Sequence, residues 1–134
     1  MENTNPPDTV RAICINPQAQ TITDVLIPNN DSLEVVYKLL HCESVQLDVY
    51  AVEAPHYMYV DEEGMYNENC SFSLNGYVYY GAALIFCKAL DEEKEYADCT
   101  LQLHSIIKGV VFYDQMQTAI EKATGLGNGH PANN

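Results

Sequence analysis

The stretch Tyr77-Val78-Tyr79-Tyr80-Gly81-Ala82-Ala83-Leu84-Ile85-Phe86-Cys87-Lys88 decides how this chain folds. It reads as one extended segment with a kink at Gly81. Side chains alternate along a strand, so Tyr77 and Tyr79 share a face. The second half, Ala82 to Cys87, is apolar at every position. A strand with one wet face alternates between polar and apolar residues; one that is apolar throughout has both faces covered. Ala82–Cys87 is therefore predicted at the centre of a sheet, with Leu84 and Ile85 in the core.

Upstream, Arg11 to Ile15 reads as a first strand and Gln20 to Ile27 as a second, rich in β-branched residues. The short Asn16-Pro17-Gln18-Ala19 link makes them a hairpin. Pro28-Asn29-Asn30 breaks the strand. Asp31 is a candidate helix N-cap, with Glu34 as its capping-box partner. Leu33, Val36, Tyr37 and Leu40 then fall on one face of a short helix that ends near His41. From Ser44 to Val52 the period is two, with Val45, Leu47, Val49 and Ala51 sharing a face. Pro55 stops that strand. Tyr57 to Asp61 follows as another, with Val60 in the core. Glu62-Glu63-Gly64 reads as a turn in which Gly64 supplies a positive φ, and Asn67 to Gly76 as a polar loop.

Downstream, Asp91 to Asp98 is an acidic, exposed connection. Thr100 is predicted to cap a long C-terminal helix carrying Leu103, Ile106, Ile107, Val110, Tyr113, Ile120 and Ala123, weakened at Gly109. The order ββαβββα predicts an α+β fold. Its small antiparallel or mixed β-sheet has about five strands, and the longer of two helices is C-terminal. Helices on one face of the sheet bury both apolar stripes most simply. Residues 1–9 read as a flexible leader, 10–124 as a single α+β domain, and 125–134 as a disordered tail.

The 134 residues carry 6 basic and 19 acidic side chains, a formal net charge of -13. Nucleic-acid binders neutralise phosphates with Lys and Arg, so direct nucleic-acid binding is not expected. Anionic membrane surfaces are disfavoured likewise, and no apolar run approaches the ~20 residues of a membrane helix. The N-terminus lacks the basic and apolar regions of a signal peptide. Five cysteines, an odd number without close spacing, fit a reducing cytoplasm better than a disulfide framework. The compatible partners are basic protein surfaces, cations, or apolar and polar pockets that ignore net charge, and a host protein with a basic surface is the partner expected. The oligomeric state is open, and a homodimer is compatible with the sequence.

Several segments resemble a family of small domains of unknown function encoded by phages, plasmids and integrated elements. The resemblance rests on Arg11-Ala12-Ile13-Cys14-Ile15-Asn16-Pro17, Thr21-Ile22-Thr23-Asp24-Val25, the helix after Asp31, and the strand-turn Val60-Asp61-Glu62-Glu63-Gly64. It extends over residues 10–90. Family members often carry Pro-Asn-Arg after this turn, where this chain has Asn67-Glu68-Asn69-Cys70. Their Gly-Gly pair after the first helix is replaced by His41-Cys42. The resemblance implies a mobile-element origin, hence the cytoplasm of a bacterial host, and a small α+β fold. It brings no catalytic residue with it.

The residues themselves suggest few sites. Asp61, Glu62 and Glu63 could bind a divalent cation, but a hard cation needs six or more converging oxygens. The ordinary reading is a solvated turn. His41, Cys42, His56, Cys70, Cys87 and Cys99 lack the paired spacing of structural zinc sites, and Cys14 and Cys87 behave as small hydrophobes within apolar strands. No metal or other cofactor is expected. No nucleophile elbow, P-loop or dinucleotide fingerprint occurs. Tyr57 and Tyr59 share one strand face, as do Tyr77 and Tyr79. They form either an exposed contact surface or the cover of a sheet beneath a helix. Asp91, Glu92, Glu93 and Glu95 are either a solvated linker or a mimic of phosphate charge. Together these features predict a non-enzymatic, acidic accessory protein that binds and inhibits or redirects a host protein, including an anti-defence inhibitor using charge mimicry. The alternative is a small-ligand binder that sequesters a nucleotide signal.

Overall fold

The computed structural model describes residues 8–30, 32–90 and 95–124. The expected N-cap Asp31, the acidic residues Asp91, Glu92 and Glu93, most of the expected leader and all of the expected tail lie outside the described residues. Strands Thr9–Asn16 (β1) and Thr21–Pro28 (β2) form a hairpin, followed by helix Glu34–Leu40 (α1). Strands Val45–Asp48 (β3) and His56–Asp61 (β4) come next, then the single-turn helix Gly64–Asn67 (α2). Three strands follow: Ser71–Leu74 (β5), Tyr77–Tyr80 (β6) and Ala83–Lys88 (β7). The chain continues with strand Tyr96–Ala97 (β8), helix Leu103–Gly109 (α3), strand Val110–Tyr113 (β9) and helix Gln115–Thr124 (α4).

The fold is α+β, and its strand pairings are antiparallel. The larger sheet runs β2-β1-β7-β4-β3, with β8 joining the far end of β7; the smaller runs β6-β5-β9. β7 is central, as its sequence requires. Ala83 and Ile85 join Ile13, Ile15, Met58 and Val60 on one face and pack against Phe72, Leu74 and Tyr79 of the smaller sheet and Ile106 of α3. Leu84 and Phe86 join Ala12 and Cys14 on the other face and pack against Val36 and Leu40 of α1. The face that carries Ala83 and Ile85 is thus covered mainly by another sheet, so the apolar stripes are not all buried by helices on one face as the element order suggested.

The single sheet of about five strands with two helices is corrected to two sheets, with nine strands and four helices among the described residues. Three local causes account for the difference. First, Tyr77–Lys88 is not one kinked strand. Gly81, with φ +90°, turns the chain out of the smaller sheet and into the larger one. Second, the expected polar loop contains β5. Phe72 and Leu74 point between the sheets, while Ser71 and Ser73 alternate with them, so the polar serines hide a buried strand. The Ser71 hydroxyl bonds the Thr118 hydroxyl of α4 at 2.8 Å. Asn75 and Gly76, at φ 53° and 94°, form the two-residue link to β6, the left-handed pair that a tight hairpin demands.

Third, the expected long C-terminal helix is broken. Val110-Val111-Phe112-Tyr113 is β-branched and aromatic, and it pairs with β5. α4 then starts afresh at a reciprocal cap. The Gln117 amide donates to Asp114 Oδ1 at 2.8 Å, and the Asp114 amide donates to Gln117 Oε1 at 3.0 Å. Gly64 also differs from expectation, since it opens α2 without a positive φ. A Cβ there would lie 2.5 Å from the Tyr80 carbonyl oxygen, so the position needs glycine for close approach.

The segment around β8 is clamped by two polar side chains. The Arg11 guanidinium donates to the carbonyls of Cys99 (2.6 Å) and Leu101 (2.9 Å) and to Asp24 Oδ1 (2.8 Å). Asn29 Oδ1 accepts from the amides of Glu95 (3.1 Å) and Tyr96 (2.7 Å), and its Nδ2 donates to the Tyr96 carbonyl at 2.8 Å. No helix among the described residues is long and apolar enough to cross a membrane.

Leu84 and Ile85 are both fully buried, on opposite faces of β7. Replacing either with Ala should lower stability by about 2–5 kcal/mol in urea denaturation; a loss below about half a kcal/mol, within the range of surface substitutions, would remove β7 from the core. Arg11→Ala should speed amide exchange in residues 95–101 while leaving β4 protected. Uniform loss of protection in both regions would count against a local clamp.

Candidate functional site

α1 has seven residues, so it is only about 10 Å long. Through Val36 and Leu40 it covers part of the outer face of the larger sheet, over β1, β2 and β7. Beyond its reach lie the side chains of β4 and β3. Tyr57 stands opposite Phe86, and Tyr59 stands opposite Leu84 on one side and Leu47 on the other. The Tyr59 and Phe86 rings stack at 4.5 Å, the Tyr57 ring lies 6.0 Å from Phe86, and Tyr96 meets Phe86 edge-on at 5.2 Å. The rings of Tyr57, Tyr59 and Phe86, with Leu47 and Val49, line a shallow groove of about 210 Å³. Leu47 and Val49 are 47% and 41% exposed, and neighbouring Tyr50 is 78% exposed. Lys88 and Glu95, paired at 4.0 Å, mark the groove's polar end.

Tyr77 and Tyr79 lie elsewhere, in the smaller sheet. Tyr79 is buried between the sheets, its ring stacked on Phe72 at 5.4 Å and its hydroxyl donating to Asp48 Oδ2 at 2.8 Å. Burial first, then the bond to Asp48 and that group's charge, push its phenol far above the ordinary range. Tyr77 packs half-buried against the same core. Only Tyr57 and Tyr59, of the four tyrosines, border the open groove.

The acidic triplet does not converge. Glu62 and Glu63 are exposed, while Asp61 is buried and its Oδ1 accepts the Glu63 amide at 2.9 Å, opening α2. Glu95 is committed to Lys88. Among the described residues no three His, Cys, Asp or Glu side chains gather as metal ligands. His56 is buried and structural, with Nε2 accepting the Thr100 amide at 3.1 Å. Burial raises the thiols of Cys14, Cys87 and Cys99. Burial and then the Asp61 charge push Cys42 up to about 11. Thiols shifted this way hold their protons and make poor nucleophiles.

A second concavity went unread in the sequence. A polar cavity of about 150 Å³ lies where the β1–β2 turn, the end of α1 and the segment after α2 meet, and Asn16, Gln18, His41, Glu68, Asn69 and Cys70 line it. Gly81 forms part of its wall. A Cβ on Gly81 would sit 2.6 Å from Glu68 Cγ, so the missing side chain makes room for this carboxyl. Burial, then a hydrogen bond with Asp61 and that group's charge, raise Glu68 to about 7; Lys122 opposes the shift. Asp61 Oδ2 is buried and meets no N–H or O–H donor unless Glu68 carries a proton. Lys122 Nζ donates to the Glu68 carbonyl at 2.5 Å and sits 5.6 Å above the Tyr80 ring.

No family model, curated protein or solved structure matches this chain.

The raised Glu68 has a signed consequence. Between pH 4.5 and about 7 the folded chain keeps a proton that the unfolded chain has lost. Stability therefore falls as pH rises through that window and levels off above it. Glu68→Gln removes this titration. The melting temperature of the native chain should drop more steeply from pH 5 to about pH 7.5 than that of the variant. Parallel profiles would mean that Glu68 ionises normally.

Proposed function

We propose that this protein is a non-enzymatic binding protein that docks a basic protein surface through the Tyr57–Tyr59–Phe86 groove. The observation that carries the reading is the aromatic stretch of the larger sheet that α1 is too short to cover. Tyrosine offers a large contact area at little cost in side-chain freedom, with a hydroxyl that tolerates a wet rim. The partner's sign follows from the net charge of -13. A partner guanidinium or ammonium laid over Tyr57 or Tyr59 would gain a cation–π contact, worth about 0.5–2 kcal/mol depending on desolvation.

In this reading, the acidic surface brings the partner in and the aromatic groove holds it. Exposed charges steer encounter and mainly set the association rate, whereas buried aromatic anchors set the dissociation rate. The resemblance to mobile-element proteins supports an accessory role in which the partner is a host protein that is inhibited or redirected. A basic nucleic-acid-binding groove is the surface that such charge mimicry would occupy. The reading favours a macromolecular partner over a nucleotide signal, because Lys88 is the one basic residue among the described residues that line the groove and it is paired with Glu95.

The test is affinity capture from bacterial lysate at low salt, with the native chain and a Tyr57→Ala/Tyr59→Ala variant, followed by surface kinetics on what is recovered. The native chain should retain a basic protein that the variant releases faster. The association rate should fall as the screening length shrinks from ~10 Å at 0.1 M salt to ~3 Å at 1 M. Equal retention by the variant, or salt-insensitive association, would sink the proposal, as would repeated recovery of nothing.

A further inference from the structure

The polar cavity beside α1 shares no residue with the aromatic groove, and its chemistry is different. Its volume is about 150 Å³, about that of a cavity that takes up benzene. That suits a ligand of a few heavy atoms. Its lining offers carboxamides, one imidazole, one thiol and the Glu68 carboxyl, and neither lysine nor arginine is among the described lining residues. An anion entering it would meet Glu68, with Asp61 behind.

A cation in the cavity would answer the negative charge that an ionised Glu68 shares with Asp61 behind it. Asp61 is only 2% exposed and its Oδ2 has no donor. A buried carboxylate oxygen left in that state is costly. The groups around Glu68 come from every side: Asp61 on β4, Lys122 and Glu121 on α4, Tyr80 on β6, and His41 and Cys42 at the end of α1. Lys122, the nearby fixed cation, is held by the Glu68 carbonyl and the Tyr80 ring. Two means remain to compensate the Asp61–Glu68 pair: a proton on Glu68, or a positive group arriving from the cavity. A metal ion lacks converging ligands among the described residues. An N–H-bearing organic cation needs fewer, because it also donates hydrogen bonds to carboxamide oxygens.

We propose that the cavity between the end of α1 and Gly81 is a binding site for a small organic cation of the alkylammonium or guanidinium class, held by Glu68 with the buried Asp61 behind it. The ligand and a proton compete for the same carboxylate. Binding therefore releases a proton and strengthens as Glu68 ionises.

Methylammonium chloride is the probe, with neutral acetamide for comparison and sodium chloride matching the ionic strength. Amide resonances of the full chain are followed by NMR, and heats are measured in two buffers of different ionisation enthalpy. Methylammonium should give saturable shifts at Asn16, His41, Asn69 and Gly81. Its affinity should rise about tenfold from pH 6 to pH 8, following ionisation of Glu68 near 7. The heats should differ between buffers by up to one released proton. Glu68→Gln should abolish binding, while Tyr57→Ala, in the other site, should leave it unchanged. The proposal is overturned if acetamide shifts the same resonances as strongly, if methylammonium does no more than sodium, or if Glu68→Gln binds like the native chain. Should that variant not fold, pH-independent affinity of the native chain overturns it equally.

Discussion

β7 sets the terms for the rest of the molecule. A strand with Ala83, Leu84, Ile85, Phe86 and Cys87 buried cannot lie on water with either face. It therefore needs a neighbour on each edge and a layer on each side. β1 and β4 supply the edges, α1 one layer, and the smaller sheet the other. Each concavity arises where this cover runs out. The aromatic groove lies past the end of a helix only seven residues long. The polar cavity lies where the chain leaves β6 to begin β7, at a glycine whose bare Cα admits Glu68.

Much of this was legible locally. The β1–β2 hairpin, α1 with its buried Val36 and Leu40, β4 and the central β7 all follow from short-range periodicity and turn residues. The failures have equally local causes. Ser71 and Ser73 made β5 look like a loop, because hydroxyls that bond α4 are indistinguishable in sequence from hydroxyls that bond water. Val110 and Tyr113 fit a helical spacing, and nothing upstream revealed that β5 offered Val110–Tyr113 an unpaired edge. Gly81 reads as a kink in sequence, yet what a left-handed glycine joins depends on where the two sheets lie.

The sites divide in the same way. Alternation places Tyr57 and Tyr59 on one face, but it does the same for Tyr77 and Tyr79, which pack into the core between the two sheets. Asp61 read as one of three surface acids, and only the fold shows it buried against Glu68. The cavity residues Asn16, His41, Glu68 and Gly81 come from four separate stretches of chain. No motif search gathers them, since their only common property is where the chain puts them. The charge of the protein is thus not merely a solvated coat, because one of its acids, Asp61, is buried beside the half-buried Glu68.

The pairing of β1 with β7 also shapes how the chain reaches its native state. Ile13 pairs with Ile85, more than seventy positions away. The β1–β2 hairpin is complete once Pro28 has been made, but it lacks its other neighbour until β7 emerges. At about 5–20 residues per second of synthesis, that interval lasts several seconds. Throughout it, Ile13 and Ile15 have no core to enter, and the free edge of β1 can template pairing with another chain. Arg11 waits longer still, since Cys99 and Leu101 are made after β7. The non-local contacts that organise the finished molecule around β7 make its ordering slow, and they expose the nascent hairpin to aggregation until the central strand arrives.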